Sequence, residues 1–459
     1  MKLRGTMTVK ENHLFIGGCD AVELARRFGT PLYVLDEAHL RSQARAYIEG
    51  FSRAYPDFKV VYAGKALLTA AICRIIEEEG LYLDVVSGGE LYTALFAGFP
   101  ADRIVFHGNN KSPEELQMAL EHGVHRIVVD NLYELELLDA FTRRSGARAS
   151  ILLRVTPGVE AHTHSYIQTG QIDSKFGFGL AGGQAYEATR RALALERVEL
   201  AGFHCHIGSQ IFDLRPFEAA VQVMFGFFDE VRRGLGFVPR ELDVGGGLGI
   251  RYVEGDVSVD PKFFAEQLAA AVRREAERLG FPLPTLMVEP GRSIVGEAGT
   301  TLYTVGSVKE IPGLRTYVAV DGGMADNPRV ALYQASYEAV VANKAAEPPS
   351  QVVSVAGKYC ESGDMLIWDL KVPPLEPGDI LAVLATGAYN YSMASNYNRI
   401  PRPAMVLVAD GAADVIVERE TYADLVRLDR IPARLRDARD EAAAARDRAV
   451  ASSDRERRP

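Results

Sequence analysis

Between about residues 58 and 293, eight short β-type runs alternate with stretches of helical periodicity. No other feature constrains the fold of this chain as strongly. The runs are "KVVYAGK", "LYLDVVS", "RIVFHG", "RIVVD", "SILLRVTP", "LAGFHCHIGS", "LDVGGG" and "TLMVEPGRS". Between them lie segments such as "ALLTAAICRIIEEEG" and "NLYELELLDAFTRRS", with apolar residues at helical spacing. Strand, helix, strand, repeated, implies a parallel sheet covered by helices. Eight units fit a closed (β/α)8 TIM barrel, with an open doubly wound sheet as the rival.

From about residue 300 the texture changes. Runs such as "TLYTVGSVKEI", "TYVAVDGG" and "DILAVLATG" are rich in Val, Ile and Thr and are separated by Pro and Gly. They predict a C-terminal, mostly antiparallel β domain. The expected organisation is an N-terminal segment (1–34) packing with the β domain, a barrel (35–298), the β domain (299–428) and a charged tail (429–459). The tail, "RLRDARDEAAAARDRAVASSDRERRP", has few large apolar residues and is expected to be helical or disordered.

The formal net charge of −10 argues against a general nucleic-acid binder or a basic membrane-surface protein. No apolar run approaches the length of a membrane span. The four cysteines, Cys19, Cys73, Cys205 and Cys360, show no CxxC spacing, and the N-terminus has no apolar signal core. A cytoplasmic, reduced protein is expected.

In a parallel barrel, function sits at the C-terminal strand ends. Here those ends carry Lys65; His206, Gly208 and Ser209; Gly245 to Gly247 and Gly249; and Glu289, Pro290, Gly291 and Arg292. Glycines let backbone amides approach an anion, so "GGGLGI" and "EPGRS" suit a phosphate cradle or, more plainly, tight turns. Lys65 sits among apolar residues, where burial lowers the pKa of an amine and suits it to a Schiff base. His206 reads equally as a core histidine. His162 and His164 in "EAHTHSY" lack an evident third ligand, and no metal is expected.

In the β domain, "DNPRVALYQ" holds Arg329 and Tyr333, and "GAYNYSMASNYN" holds Tyr389. In "GKYCESGD", Cys360 stands directly before Glu361. Carboxylates oppose thiolate formation, so this thiol suits a proton donor better than a nucleophile or metal ligand.

These motifs together, over roughly residues 10 to 425, resemble the diaminopimelate decarboxylases, within the barrel-type (fold type III) pyridoxal-phosphate decarboxylases. "GKYCESGD" is the most specific of them. The resemblance implies pyridoxal 5'-phosphate as cofactor, with Lys65 as the lysine that carries it and His206 stacked on its ring. It implies Ser209, Gly247, the Glu289–Pro290–Gly291–Arg292 loop and Tyr389 as further cofactor contacts, with Glu289 facing the pyridine nitrogen. Arg292, Arg329, Tyr333, Glu361 and Tyr389 are the implied substrate contacts. Cys360 is the implied proton donor, reaching the active site from the other subunit of a homodimer. The implied reaction is decarboxylation of meso-diaminopimelate to L-lysine, the last step of lysine biosynthesis. Leu67 and Val330 depart from residues frequent in the family.

An ornithine- or lysine-type decarboxylase on the same fold is the alternative. Arg329 and "CESGD" count against it, because those substrates have no distal carboxylate. A racemase would not need Glu289. A non-catalytic regulatory relative would not need Lys65, Cys360 and Glu289 together.

Overall fold

The computed structural model describes residues 3–159 and 174–435. Eight parallel strands form the barrel, and they coincide with the eight runs read from the sequence. They are Phe58–Ala63, Tyr82–Val85, Ile104–Phe106, Arg126–Val129, Ala149–Thr156, Val198–His204, Glu241–Asp243 and Thr285–Val288. The eighth pairs with the first and the fourth with the fifth, so the sheet is closed and the open-sheet rival is excluded.

Strand side chains alternate between the helices and the barrel interior. The inward positions form three layers. At the bottom, Glu241 accepts hydrogen bonds from Lys59 Nζ (2.7 Å) and from Arg126 Nε and Nη2 (2.7 and 2.8 Å). The middle layer is apolar and includes Val61, Val105, Val128, Leu152, Ala201 and Met287. The upper layer is polar and buried: Asp84, His107, Arg154, His204, Asp243 and Glu289. Gly202 allows the sixth strand to close on the seventh, since a Cβ there would lie 1.9 Å from the Glu241 carbonyl oxygen.

The second domain is a mixed sheet built on the 13-residue strand Gly299–Ile311. Most pairings are antiparallel, but Arg315–Val320 runs parallel to Gln351–Ala356 and Leu32–Asp36 runs parallel to Ala404–Ala409. The fully buried strand Leu32–Asp36 therefore belongs to this sheet, and the next helix, Glu37–Ala54, opens the barrel. Asp36 caps that helix by accepting the His39 N–H. The hairpin Thr8–Lys10/His13–Ile16 packs Leu14 and Ile16 against Leu302, Val340 and Val406 of the sheet. Of the expected tail, residues 436–459 lie outside the described residues, as do His162 and His164.

The bottom layer generates a stability prediction. Burial pushes the Glu241 carboxyl up, but Arg126 and Lys59 outweigh it and hold the group at about 2. A carboxyl depressed in the folded state stabilises above its unfolded pKa, and that contribution is lost as pH falls towards 2. Glu241→Gln should cost about 3–5 kcal/mol near pH 7 by leaving two cations unpaired. Thermal melts should show the gap between parent and variant narrowing as pH is lowered below about 4.5. A gap independent of pH would mean that packing, not charge, is what the substitution removes.

Candidate active site

The barrel's upper rim and the β domain enclose a cavity of about 780 Å³. Its lining includes Lys65, His206, Ser209, Gly247, Glu289, Gly291 and Arg292 from the barrel, and Arg329, Tyr333 and Tyr389 from the β domain. Lys65 follows the first strand in a short 3-10 turn, Gly64–Ala66. Tyr389 takes φ +61° and donates its N–H to the Ala66 carbonyl (2.8 Å), which fixes it beside that turn.

Glu289 ends the eighth strand and is almost fully buried. His107 Nε2 lies 2.6 Å from Oε1, and His204 Nε2 lies 3.3 Å from Oε2. Burial alone would raise this carboxyl, but His107 and His204 pull it well below the ordinary carboxylate range. Asp243 shows the opposite behaviour. Burial and the neighbouring Glu289 push it well above its usual value, while Oδ1 accepts the Gly245 N–H (2.8 Å). The two carboxyl groups are thus pushed apart, Asp243 towards its neutral form and Glu289 towards its ionised form. The donor atoms of His107, His204, Asp243 and Glu289 lie within 4.8 Å of one another, a set that could also meet a cation.

Lys65 departs from the reading that burial would lower its pKa. Burial does lower it, but Asp84, Tyr389 and Glu289 more than offset this, and the net shift is upward. These neighbours thus favour the ammonium form. His206 is driven well below its normal value by burial and by the nearby charges of Lys65 and Arg154, so its imidazole is neutral.

Also on the cavity wall, Arg292 donates to Ser209 Oγ (2.9 Å) and to Tyr252 OH (2.6 Å). Gly247 has φ +115°, and a Cβ there would fall 2.2 Å from the Gly208 carbonyl oxygen. This close turn is open only to glycine. Arg329 is buried; it donates to Tyr337 OH (2.7 Å), and its guanidinium lies 4.5 Å from the Tyr252 ring centroid.

The profile of the family described as "Pyridoxal-dependent decarboxylase, pyridoxal binding domain" matches residues 39–296. The diaminopimelate decarboxylase of Bacillus subtilis is 56% identical over 430 residues, covering 94% of this chain and 98% of the relative. The crystal structure of the diaminopimelate decarboxylase from M. jannaschii in complex with L-lysine superposes with a TM-score of 0.88 at 38% identity, covering 94% of this chain and 99% of that one. This chain belongs to the diaminopimelate decarboxylases. A lysine/ornithine decarboxylase from Vibrio vulnificus, 24% identical with a TM-score of 0.71 over 85% of this chain and 98% of that one, shares the fold.

The cofactor of this family, pyridoxal phosphate, fits the residues present. A lysine and a carboxylate held towards its ionised form line the cavity together with a hydroxyl, a guanidinium and a glycine turn. Ten of the thirteen catalytic, cofactor and substrate residues that the resemblance implies line the cavity; Pro290, Cys360 and Glu361 do not. Pro290 is buried behind it, its carbonyl accepting the Ala63 N–H (3.1 Å). Cys360 and Glu361 are exposed on the β domain.

The sequence reading passed over Asp84, His107, Arg154, His204 and Asp243. Each is a polar residue at an inward position at or near the C-terminal end of a strand, a signal that becomes readable once the inward face is assigned. Tyr252 and Tyr337, which hold the two arginines, carried no such signal.

The glycine turn can be tested directly. Gly247→Ala should fold, yet weaken pyridoxal phosphate binding at least about tenfold, because the turn must open to admit the methyl group. Titration of cofactor absorbance checks this, and unchanged affinity would remove Gly247 from the cofactor site.

Proposed function

We propose that this chain decarboxylates meso-diaminopimelate at its D centre to L-lysine and carbon dioxide, as a cytoplasmic homodimer whose active sites are shared between subunits. The observation that carries the substrate assignment is Arg329. Its buried guanidinium faces the same cavity as Lys65 and Glu289. The far end of diaminopimelate bears a carboxylate, which a guanidinium binds bidentately. Ornithine and lysine lack that group and would leave Arg329 without an anionic partner.

Lys65 would hold the cofactor through its ε-amine, and Ser209, Gly247, Gly291, Arg292 and Tyr389 would hold the phosphate end. Bound pyridoxal phosphate supplies the sink for the electron pair left when carbon dioxide departs. Glu289, kept anionic by His107 and His204, favours a protonated ring nitrogen. His206 offers a neutral imidazole face to the ring. Arg329 and Tyr333 fix the distal end of the substrate, which sets the bond that stands ready to break. Glu361 takes the distal ammonium, and Cys360 gives its thiol proton to the carbon that has lost carbon dioxide.

Cys360 and Glu361 are exposed and lie outside the cavity of their own chain, which supports their delivery to the site of a second copy. The relatives named diaminopimelate decarboxylase, and the lysine complexes among them, support the reaction. The described residues include no helix long and apolar enough to cross a membrane. The four cysteines are free, which suits a reducing compartment.

Arg329→Ala should lower kcat/KM for meso-diaminopimelate by the equivalent of about 2–5 kcal/mol. Activity on L-lysine and L-ornithine should stay near background. Decarboxylation assays with the three substrates decide this, and an undiminished kcat/KM would place the distal carboxylate elsewhere.

Subunit sharing has its own test. Lys65→Ala and Cys360→Ala homodimers should each be nearly inactive. A mixed dimer has one site with both lesions and one with neither, because a two-fold interface repeats each contact reciprocally. Random exchange makes about half the dimers mixed, so activity should recover to roughly a quarter of the parent. No recovery, with exchange shown independently, would place Cys360 in its own chain's site.

A further inference from the structure

The loop carrying Arg329 and the loop carrying Cys360 are joined inside one chain, and a buried carboxylate sits at the centre of the joint. Asp364 is buried between them. Its Oδ1 accepts the N–H of Met324, in the segment leading to the short helix Arg329–Tyr333 (2.6 Å). Its Oδ2 accepts the N–H of Tyr359, the residue before Cys360 (2.8 Å). Glycines on both sides let the backbone close around it. A Cβ at Gly323 would lie 2.4 Å from Oδ1, and one at Gly357 would lie 2.1 Å from Oδ2.

Two further bonds cross the same seam. Lys358 N–H donates to the Gly322 carbonyl (2.9 Å). Tyr359 OH donates to Asp326 Oδ1 (3.2 Å), and Gly323 N–H donates to the same oxygen (2.8 Å). The two loops therefore behave as one packed unit, although Arg329 and Tyr333 face the chain's own cavity and Cys360 does not.

We propose that Asp364 is a positioning residue that locks the substrate-reading loop of one active site to the proton-donating loop of the neighbouring active site. The inference rests on the subunit-shared site proposed above. Asp364 touches neither substrate nor cofactor. It acts on two sites at once, through Arg329 in one and through Cys360 in the other. Only a carboxylate suits this place, since two N–H groups converge on it. An asparagine can accept from one, but its NH2 group would then face the second N–H, donor against donor.

The test separates the two effects by placing Asp364→Asn in one chain of a defined mixed dimer. The parent pair is a Lys65→Ala chain with a Cys360→Ala chain, purified as holoenzyme on two different tags. Its one live site takes Lys65 and Arg329 from the Cys360→Ala chain and takes Cys360 from the Lys65→Ala chain. With Asp364→Asn in the Lys65→Ala chain, only the donor loop of the live site is loosened. Lysine formed per carbon dioxide released should fall at least about twofold as protonation loses its aim, and KM should rise as well, because Glu361 rides on the same loop.

With Asp364→Asn in the Cys360→Ala chain, only the reading loop is loosened. KM should rise by roughly tenfold, with lysine and carbon dioxide still formed one to one. A purely structural lesion would lower turnover alike in both placements. Equal effects, or no effect in either, would overturn the proposal while leaving the shared site standing. Failure of the parent pair to recover activity would overturn the shared site and this proposal with it. If Asp364→Asn does not assemble, Tyr359→Phe, which removes only the bond to Asp326, goes into the same two positions. The same split is expected with smaller amplitude, and its absence there overturns the proposal.

Discussion

A carboxylate that stays ionised inside the barrel is the constraint on which the rest of the structure depends. Burying such a charge is costly unless it is paired and hydrogen-bonded. Glu289 meets that condition with His107 Nε2 at 2.6 Å and His204 Nε2 at 3.3 Å, while Asp243 beside it is pushed towards its neutral form, and the three come from three different strands or strand ends. The pairing works only if the strands keep their register, because a one-residue slip would turn each side chain outward. The apolar middle layer and the Glu241 ion triad beneath it hold that register. The barrel is in this sense a rigid mount for one negative charge.

The second domain completes the cavity and does not merely cover it. Arg329, Tyr333 and Tyr389 all come from it, and Tyr389 is tied to Ala66, one residue beyond Lys65. Tyr252 bridges the two halves, accepting from Arg292 through its hydroxyl and offering its ring face to Arg329. The strand Leu32–Asp36 and its capped helix Glu37–Ala54 fix how the sheet meets the barrel. A shift between domains would therefore disturb both walls of the cavity together.

How much of this was legible depended on what kind of signal each residue leaves. The eight strands were legible because alternating periodicity is a local property, and chain order alone then implies a parallel sheet. The glycine turns and Lys65 were legible because their types are unusual at strand ends. Asp84, His107, Arg154, His204 and Asp243 were readable only after each strand's inward face was assigned, which needs the closed barrel. Tyr337 and Tyr252 are aromatic residues in unremarkable surroundings, and their hold on Arg329 exists only in three dimensions. The pKa direction of Lys65 was misjudged for the same reason. Local sequence shows its apolar neighbours, but Asp84 and Glu289 reach it from the second and eighth strands.

The setting of Arg329 also supports the proposed choice of a substrate with a distal carboxylate. Its guanidinium is held between the Tyr337 hydroxyl and the Tyr252 ring, and Tyr252 and Tyr337 favour its charged form against the cost of burial. A neutral hydroxyl and a π face satisfy a buried cation less fully than a carboxylate does. A ligand with a distal carboxylate relieves that shortfall, and one without it leaves the guanidinium as it was. A site built around a buried polar group rejects an analogue lacking the partner far more strongly than an apolar pocket rejects a missing methylene. On the proposed reading, selectivity follows from a charge placed in advance of its partner and held by two tyrosines that cannot replace it.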